Sequence, residues 1–167
     1  TGSVAPGDAT GRQPTIEEWE AAGRRLSVAG HDVFVVDAGP HEPSDREPLL
    51  VVHGFPTSSY DYAHLLDALA RRRRVVLVDM LGFGLSAKPD LRYTMALQAD
   101  VVAAVVAALG IDRLALLPHD VGDTVGGELL ARNAEGDWPV EVTRRVVTNG
   151  SIYIDMARLT DGQHMLL

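Results

Sequence analysis

The 167-residue sequence predicts an α/β protein built on a mostly parallel, doubly wound sheet. Three observations predict it. Two short, wholly apolar runs, LLVV at 49–52 and VVLV at 75–78, have the pattern of strands buried on both faces. Beyond the first of them, strand-like and helix-like stretches alternate, as parallel strands joined by crossover helices require. The segment ahead of them has instead the alternation and tight turn of an antiparallel hairpin.

In chain order, residues 1–14 are rich in Gly, Pro and Thr and are expected to be mobile. A core is expected over 15–150. Ile16 to Ala22 has helical composition. Arg25 to Val28 leads through a Gly30-His31-Asp32 turn into Val33 to Val36, the predicted hairpin. After the LLVV strand, Ser59 to Arg71 places Leu65, Leu66, Leu69 and Ala70 on one helical stripe. Four arginines follow at 71–74. They read as cations complementing the carbonyl end of that helix rather than as an anion patch. VVLV comes next, then a helix over Thr94 to Leu109, with Thr94 as N-cap and Gly110 just past its end. Leu114 to Leu117 reads as a strand, Gly122 to Asn133 as a helix and Arg144 to Thr148 as a last strand. There is no internal repeat and no low-complexity segment.

Composition narrows the function. Net charge is −8, so no basic face that would neutralise phosphates is expected, and nucleic-acid binding is set aside. The absence of cysteine removes disulfides, thiolate metal sites and cysteine nucleophiles together. The longest apolar stretch, Val101 to Leu109, is too short to span a bilayer, and the N-terminal residues lack the basic and apolar regions of a signal peptide. A soluble, cytoplasmic protein with no metal or cofactor is the expectation.

In an open α/β sheet, function collects in the loops beyond the C-terminal ends of the strands. Three such loops look specialised. The first is His53-Gly54-Phe55-Pro56, directly after LLVV. The second runs from Asp79 through Gly82-Phe83-Gly84 to Ser86. The third is Pro118-His119-Asp120-Val121-Gly122-Asp123, which closes a strand and opens a helix. An aspartate at a helix start is most often an N-cap; what distinguishes Asp120 is its company.

Together these loops resemble those of the α/β-hydrolase family, over residues from about 25 to 167. That family places its nucleophile on a sharp strand-to-helix turn, G-x-S-x-G. Here Asp120 stands at the serine position, and Gly122 supplies the small residue needed where helix and strand pack closely. The resemblance implies a sheet of the α/β-hydrolase type, cut off where residues 151–167 begin a cap. It also implies an oxyanion hole made of the Phe55 and Val121 backbone N–H groups, with His53 and Gly54 supporting that loop and His119 placed behind the nucleophile. Asp123, one helical turn on, is a candidate N-terminal cap. Asn149 stands where some dehalogenases carry an acid, which asparagine cannot replace.

A carboxylate nucleophile attacks saturated carbon directly and forms an alkyl ester. Water activated by a histidine base then attacks the ester carbonyl, and the oxyanion hole stabilises the intermediate. Haloalkane dehalogenases resemble this chain at Pro56-Thr57-Ser58-Ser59-Tyr60, but they usually carry halide-binding Trp and Asn where Val121 and Phe55 stand. Epoxide hydrolases share His-Gly-Phe-Pro. The mesoderm-specific transcript family shares His119-Asp120-x-Gly122-Asp123 and Asn149-Gly150. The leading expectation is an epoxide hydrolase-like enzyme acting on a small apolar organic substrate and water. The alternatives are a haloalkane dehalogenase-like hydrolase, and a non-catalytic binding protein or fragment needing a partner chain. His164, the one histidine after Asp120, lies too early to be the base. The base is expected in a C-terminal remainder of the same protein.

Overall fold

A computed structural model describes residues 12–41 and 46–150. The cap expected over 151–167, and residues 1–11 of the expected mobile segment, lie outside the described residues. Residues 12–14 are tied down: Pro14 accepts a hydrogen bond from the Tyr60 hydroxyl. Helix α1 (Ile16–Ala22) then opens on a capping box between Thr15 and Glu18.

The sheet has six strands in the order β1-β2-β4-β3-β5-β6. β1 (Arg24–Val28) and β2 (His31–Ala38) form the hairpin, and β2 also pairs antiparallel with β4 (Val75–Val78). β4, β3 (Leu49–Val52), β5 (Arg113–Pro118) and β6 (Glu141–Arg145) are mutually parallel. The hairpin turn is Ala29-Gly30, both with positive φ (50° and 78°), and not Gly30-His31-Asp32. Two consecutive left-handed residues match the twist of the flanking strands, so His31 is already paired opposite Val28.

Strand alternation sorts the core into two layers. Val33, Val35, Leu50, Val52, Val76 and Val78 face α3 (Met95–Ala108) and α4 (Val121–Glu135). Phe34, Val36, Leu49, Val51, Val75 and Leu77 point the other way, toward Trp19 of α1 and Leu66 of α2 (Leu66–Ala70). Each apolar run thus serves both faces, which is why no residue in it is polar. Thr94 caps α3 through the Leu97 N–H, as its sequence position suggests.

Two elements differ from expectation. Ser59–Leu65 is a 3-10 segment that turns α-helical only at Leu66, after Ser58 has capped it through the Tyr60 N–H. The last strand is Glu141–Arg145, earlier than Arg144 to Thr148. Among the described residues it pairs with β5 alone, and its burial pattern is that of a partly exposed strand. Val146 and Val147, which suggested the later strand, are 58% and 51% exposed. The chain nevertheless keeps beside β5 as far as Thr148 through the Val146 N–H to Leu116 O bond and a bridge opposite His119.

The arginine run is not merely helix-terminal. Arg74 makes two hydrogen bonds of 2.8 and 2.9 Å to the fully buried carboxylate of Asp37, which Arg24 and His41 also approach. Burial alone would raise the Asp37 pKa, but Arg74, His41 and Arg24 outweigh it and hold it below the ordinary value. The stability this contributes is complete above the unfolded-state pKa and is lost as pH falls through the lower folded value. Arg74→Ala leaves a buried charge with weaker partners and is expected to cost about 2–4 kcal/mol at neutral pH. Urea unfolding of both proteins at pH 7 and pH 3 checks this, and the gap should narrow at pH 3.

Candidate active site

The site forms where the sheet changes direction. β3 continues toward β4 on one side while β5 lies on its other side, so the loops leaving β3 and β5 part and open a crevice between them. Parallel pairing of Val52 with Pro118 brings both loops to the same edge of the sheet.

Asp120 adopts φ 54° and ψ −118°, a region that side chains rarely occupy. Backbone bonds on every side impose it. The His119 N–H donates to Val52 O (3.0 Å), the Asp120 N–H to Thr148 O (3.1 Å), and the Gly122 N–H to His119 O (2.8 Å). Gly122 has to be glycine: a Cβ there would lie 2.4 Å from Val52 O and 2.5 Å from His53 O. Gly54 is equally constrained, since its Cβ would lie 2.6 Å from Asp120 Cβ and 2.9 Å from His119 Nδ1.

The Asp120 carboxylate does not cap α4. It turns into the crevice, where Oδ1 accepts the Phe55 backbone N–H at 2.9 Å. Val121 opens α4, so its N–H has no carbonyl four residues back within the helix to bond. One carboxylate oxygen therefore rests against a backbone donor. Phe55 is 49% exposed and meets Phe83 edge-on at 6.1 Å. The crevice wall beside the carboxylate is aromatic and apolar.

Buried polar side chains hold these loops in place. His53 is fully buried; its Nε2 accepts the Met80 N–H (3.0 Å), so Nδ1 carries the proton and donates to Gly54 O (2.8 Å). Burial lowers its pKa against the opposing pull of Gly54, Asp79 and Asp61, in keeping with this neutral tautomer. Asp79 accepts the Ser59 and Leu85 N–H groups, one on each oxygen, at 2.7 Å. Gly84 leaves room for that carboxylate, because a Cβ there would sit 2.0 Å from its Oδ2. Ser86 bridges Asp79 O and the Phe34 N–H, and Gln98 exchanges two hydrogen bonds with Leu81.

The residues expected from the sequence, His53, Gly54, Phe55, His119, Asp120, Val121 and Gly122, lie on the two adjoining loops after β3 and β5, with His53 fully buried beneath them. Asp79, Ser86 and Gln98 were not among them. Gln98 did leave a signal, as an amide in a largely apolar helix whose other polar residue, Asp100, is exposed. His119 is half-buried against Gly54. Asp123 caps nothing: neither of its buried oxygens has a hydrogen-bond partner among the described residues, which corrects the expected N-terminal cap. Asn149 is exposed, with φ 59°. Among the described residues no group of three His, Asp or Glu is placed to hold a metal ion, and no helix is long and apolar enough to cross a membrane.

Known proteins resemble this chain. The profile of the alpha/beta hydrolase fold family matches residues 47–161. The putative hydrolase LipZ of Mycobacterium tuberculosis is 38% identical over 154 residues, 92% of this chain and 52% of that protein. The Homo sapiens mesoderm-specific transcript homolog protein is 35% identical over 150 residues, 87% of this chain and 44% of that protein. Among solved structures, the haloalkane dehalogenase DatA from Agrobacterium tumefaciens C58 matches with a TM-score of 0.64 at 29% identity, covering 77% of this chain and 40% of that one. The chain thus spans about half the length of the curated relatives it matches.

Replacing His53 by Leu would strand two buried backbone groups, the Met80 N–H and Gly54 O, at an expected cost of about 2–4 kcal/mol. Because the folded pKa of His53 is lowered, its contribution is complete above the ordinary histidine value of 6.5 and is lost as pH falls below it. Chemical denaturation of the two proteins across pH 5–8 should show the wild type losing more stability than His53→Leu on the acid side.

Proposed function

The chain belongs to the α/β-hydrolase fold family, and from that premise we propose that Asp120 is a nucleophile that forms an alkyl ester with a small apolar substrate, as epoxide hydrolases do. The observation that carries this reading is the direction of its side chain. An N-capping aspartate would turn back onto the α4 amides; Asp120 instead extends across the crevice to the Phe55 N–H.

The geometry divides the labour between the two oxygens. Oδ2 attacks a ring carbon of the epoxide, and the C–O bond breaks with its electron pair passing to the ring oxygen. That oxygen takes a proton from water or an acid. The ester left on Asp120 has Oδ1 as its carbonyl oxygen, already resting on the Phe55 N–H. When water attacks Cγ, the negative charge develops on Oδ1, where the Phe55 and Val121 amides stabilise it. The proton lost by that water goes to a histidine base, assigned to sequence outside the described residues.

Ring strain favours the epoxide reading. A halide leaving group needs N–H donors aimed at it, and the side chains that flank Asp120 here, Phe55, Val121 and Phe83, carry none. An epoxide brings its own driving force and keeps its leaving oxygen tethered. The dehalogenase reading retains the support of the DatA match. The small apolar substrate follows from the Phe55–Phe83 wall.

Intact-mass spectrometry after incubation with terminal epoxides and with haloalkanes tests both readings. An adduct of epoxide mass on the Asp120 peptide is expected, absent in Asp120→Asn. An adduct formed only from haloalkanes would move the assignment to dehalogenase chemistry, and neither adduct nor turnover with either class in the full-length folded protein would leave a binding role. Phe55→Ala keeps its backbone donor, so the ester should still hydrolyse at close to the wild-type rate. Losing about two-thirds of a phenylalanine's contact area should weaken apolar substrate binding by roughly 1–2 kcal/mol, seen as a rise in KM with little change in kcat.

A further inference from the structure

Asp123 is the polar group in this crevice that neither the fold nor the proposed reaction uses. It is 2% exposed, and both its oxygens lack a hydrogen-bond partner among the described residues. An unsatisfied buried carboxyl three residues from a nucleophile calls for a reason. Its neighbours supply one. Oδ2 lies where a Cβ on Gly150 would come within 2.3 Å, and that Cβ would also stand 3.0 Å from Asp123 Cβ and Cγ. Gly150 ends a hook, Thr148-Asn149-Gly150, in which Asn149 is left-handed at φ 59° and Thr148 O takes the Asp120 N–H at 3.1 Å. The hook is further fixed by the Thr148 hydroxyl on Pro118 O at 3.0 Å.

We propose that Asp123 is a positioning residue: its carboxyl fills the space between the first turn of α4 and the 148–150 hook, and so holds the carbonyl that fixes the Asp120 backbone. This rests on the reading of Asp120 as nucleophile. The rare backbone of Asp120 is bonded on its amide side only by Thr148 O, so a hook that drifts away lets the residue relax and swings its carboxylate off the Phe55 N–H.

The carboxyl performs this task by its shape and not by its charge. Among the described residues neither oxygen receives a hydrogen bond of ordinary geometry, although the Thr148 main chain and His119 lie near. Burial raises its pKa, the Thr148 main chain and His119 oppose that more weakly, and the nearby Asp120 adds a like charge that raises it further. An asparagine side chain has the same shape as the carboxyl, so the conservative variant should serve.

The test uses the full-length protein, following amide hydrogen exchange at Asp120 together with the concentration dependence of epoxide adduct formation. Asp123→Asn should keep both. Asp123→Ala should speed exchange of the Asp120 amide about tenfold. It should also slow the saturating rate of alkylation by about ten- to a hundredfold, with the half-saturating epoxide concentration unchanged. Gly150→Ala covers the case in which Asp123→Ala does not fold. Gly150 is not in the left-handed region, so its new methyl acts only by displacing the carboxyl. It should reproduce the loss, and the double variant Gly150→Ala/Asp123→Ala should recover part of it because the colliding atoms are gone. Normal exchange and alkylation in Asp123→Ala, damage in Asp123→Asn equal to that in Asp123→Ala, or strictly additive losses in the double variant would each overturn the proposal. If the wild type neither forms an adduct nor turns over any epoxide, the nucleophile assignment fails, and the Asp120 amide exchange still decides the role of Asp123.

Discussion

Parallel pairing of β3 with β5 is the constraint from which the rest of the site follows. It ends two buried strands at one edge of the sheet, and it fixes the carbonyls of Val52 and His53 directly beneath the first turn of α4. That turn comes so close that only glycine fits at 122, and the chain must bend sharply between Pro118 and Gly122 to make it. Asp120, at the apex of the bend, takes a positive φ that its side chain would not choose. The strain is local, while the pairing and packing that impose it extend over the whole core, so the core wins.

A bend under strain holds its geometry only if the surrounding loops do not yield. Here the molecule places buried hydrogen bonds where a less constrained protein would place apolar contacts. His53, Asp79, Ser86 and Gln98 each bond main-chain groups of the 79–86 loop or its neighbours, and none is exposed to water. In a low-dielectric interior such bonds are strong when made and costly when missed, which favours a single arrangement of the crevice. Phe83 then packs edge-on against both His53 and Phe55, so the loop that carries the apolar wall is fixed to the loop that carries the Phe55 amide.

The two ends of the sheet are stabilised differently. At the crevice end, hydrogen bonds from main-chain amides dominate, and Asp123 is buried beside Asp120 with no hydrogen-bond partner for its carboxyl among the described residues. At the opposite end, Asp37 is buried as a charge and met by Arg74, with Arg24 and His41 nearby. The arginine run was legible as a cluster of cations, and its place at a helix end was read correctly. Its buried partner lies 37 residues earlier on β2, a pairing that helix periodicity cannot express.

The sequence by itself determined the layer architecture, because a strand buried on both faces must be apolar at every position and a crossover helix must carry an apolar stripe. It also pointed to the loops of the candidate site, since glycine, proline and histidine cluster just past those strands. It misplaced what depends on a neighbour rather than on the element itself. The strand over Glu141–Arg145 is partly exposed and carries no apolar run, and so the exposed Val146 and Val147 drew the strand three residues too late. The 3-10 turn after Ser58 depends on a cap and on Asp79 taking the Ser59 amide. Above all, only the tertiary structure decided that Asp120 faces the Phe55 N–H instead of capping its own helix, and that Asp123 is buried without a partner. Both outcomes depend on which backbone groups lie across the crevice, and residues 65 apart in the chain meet there only once the sheet has formed.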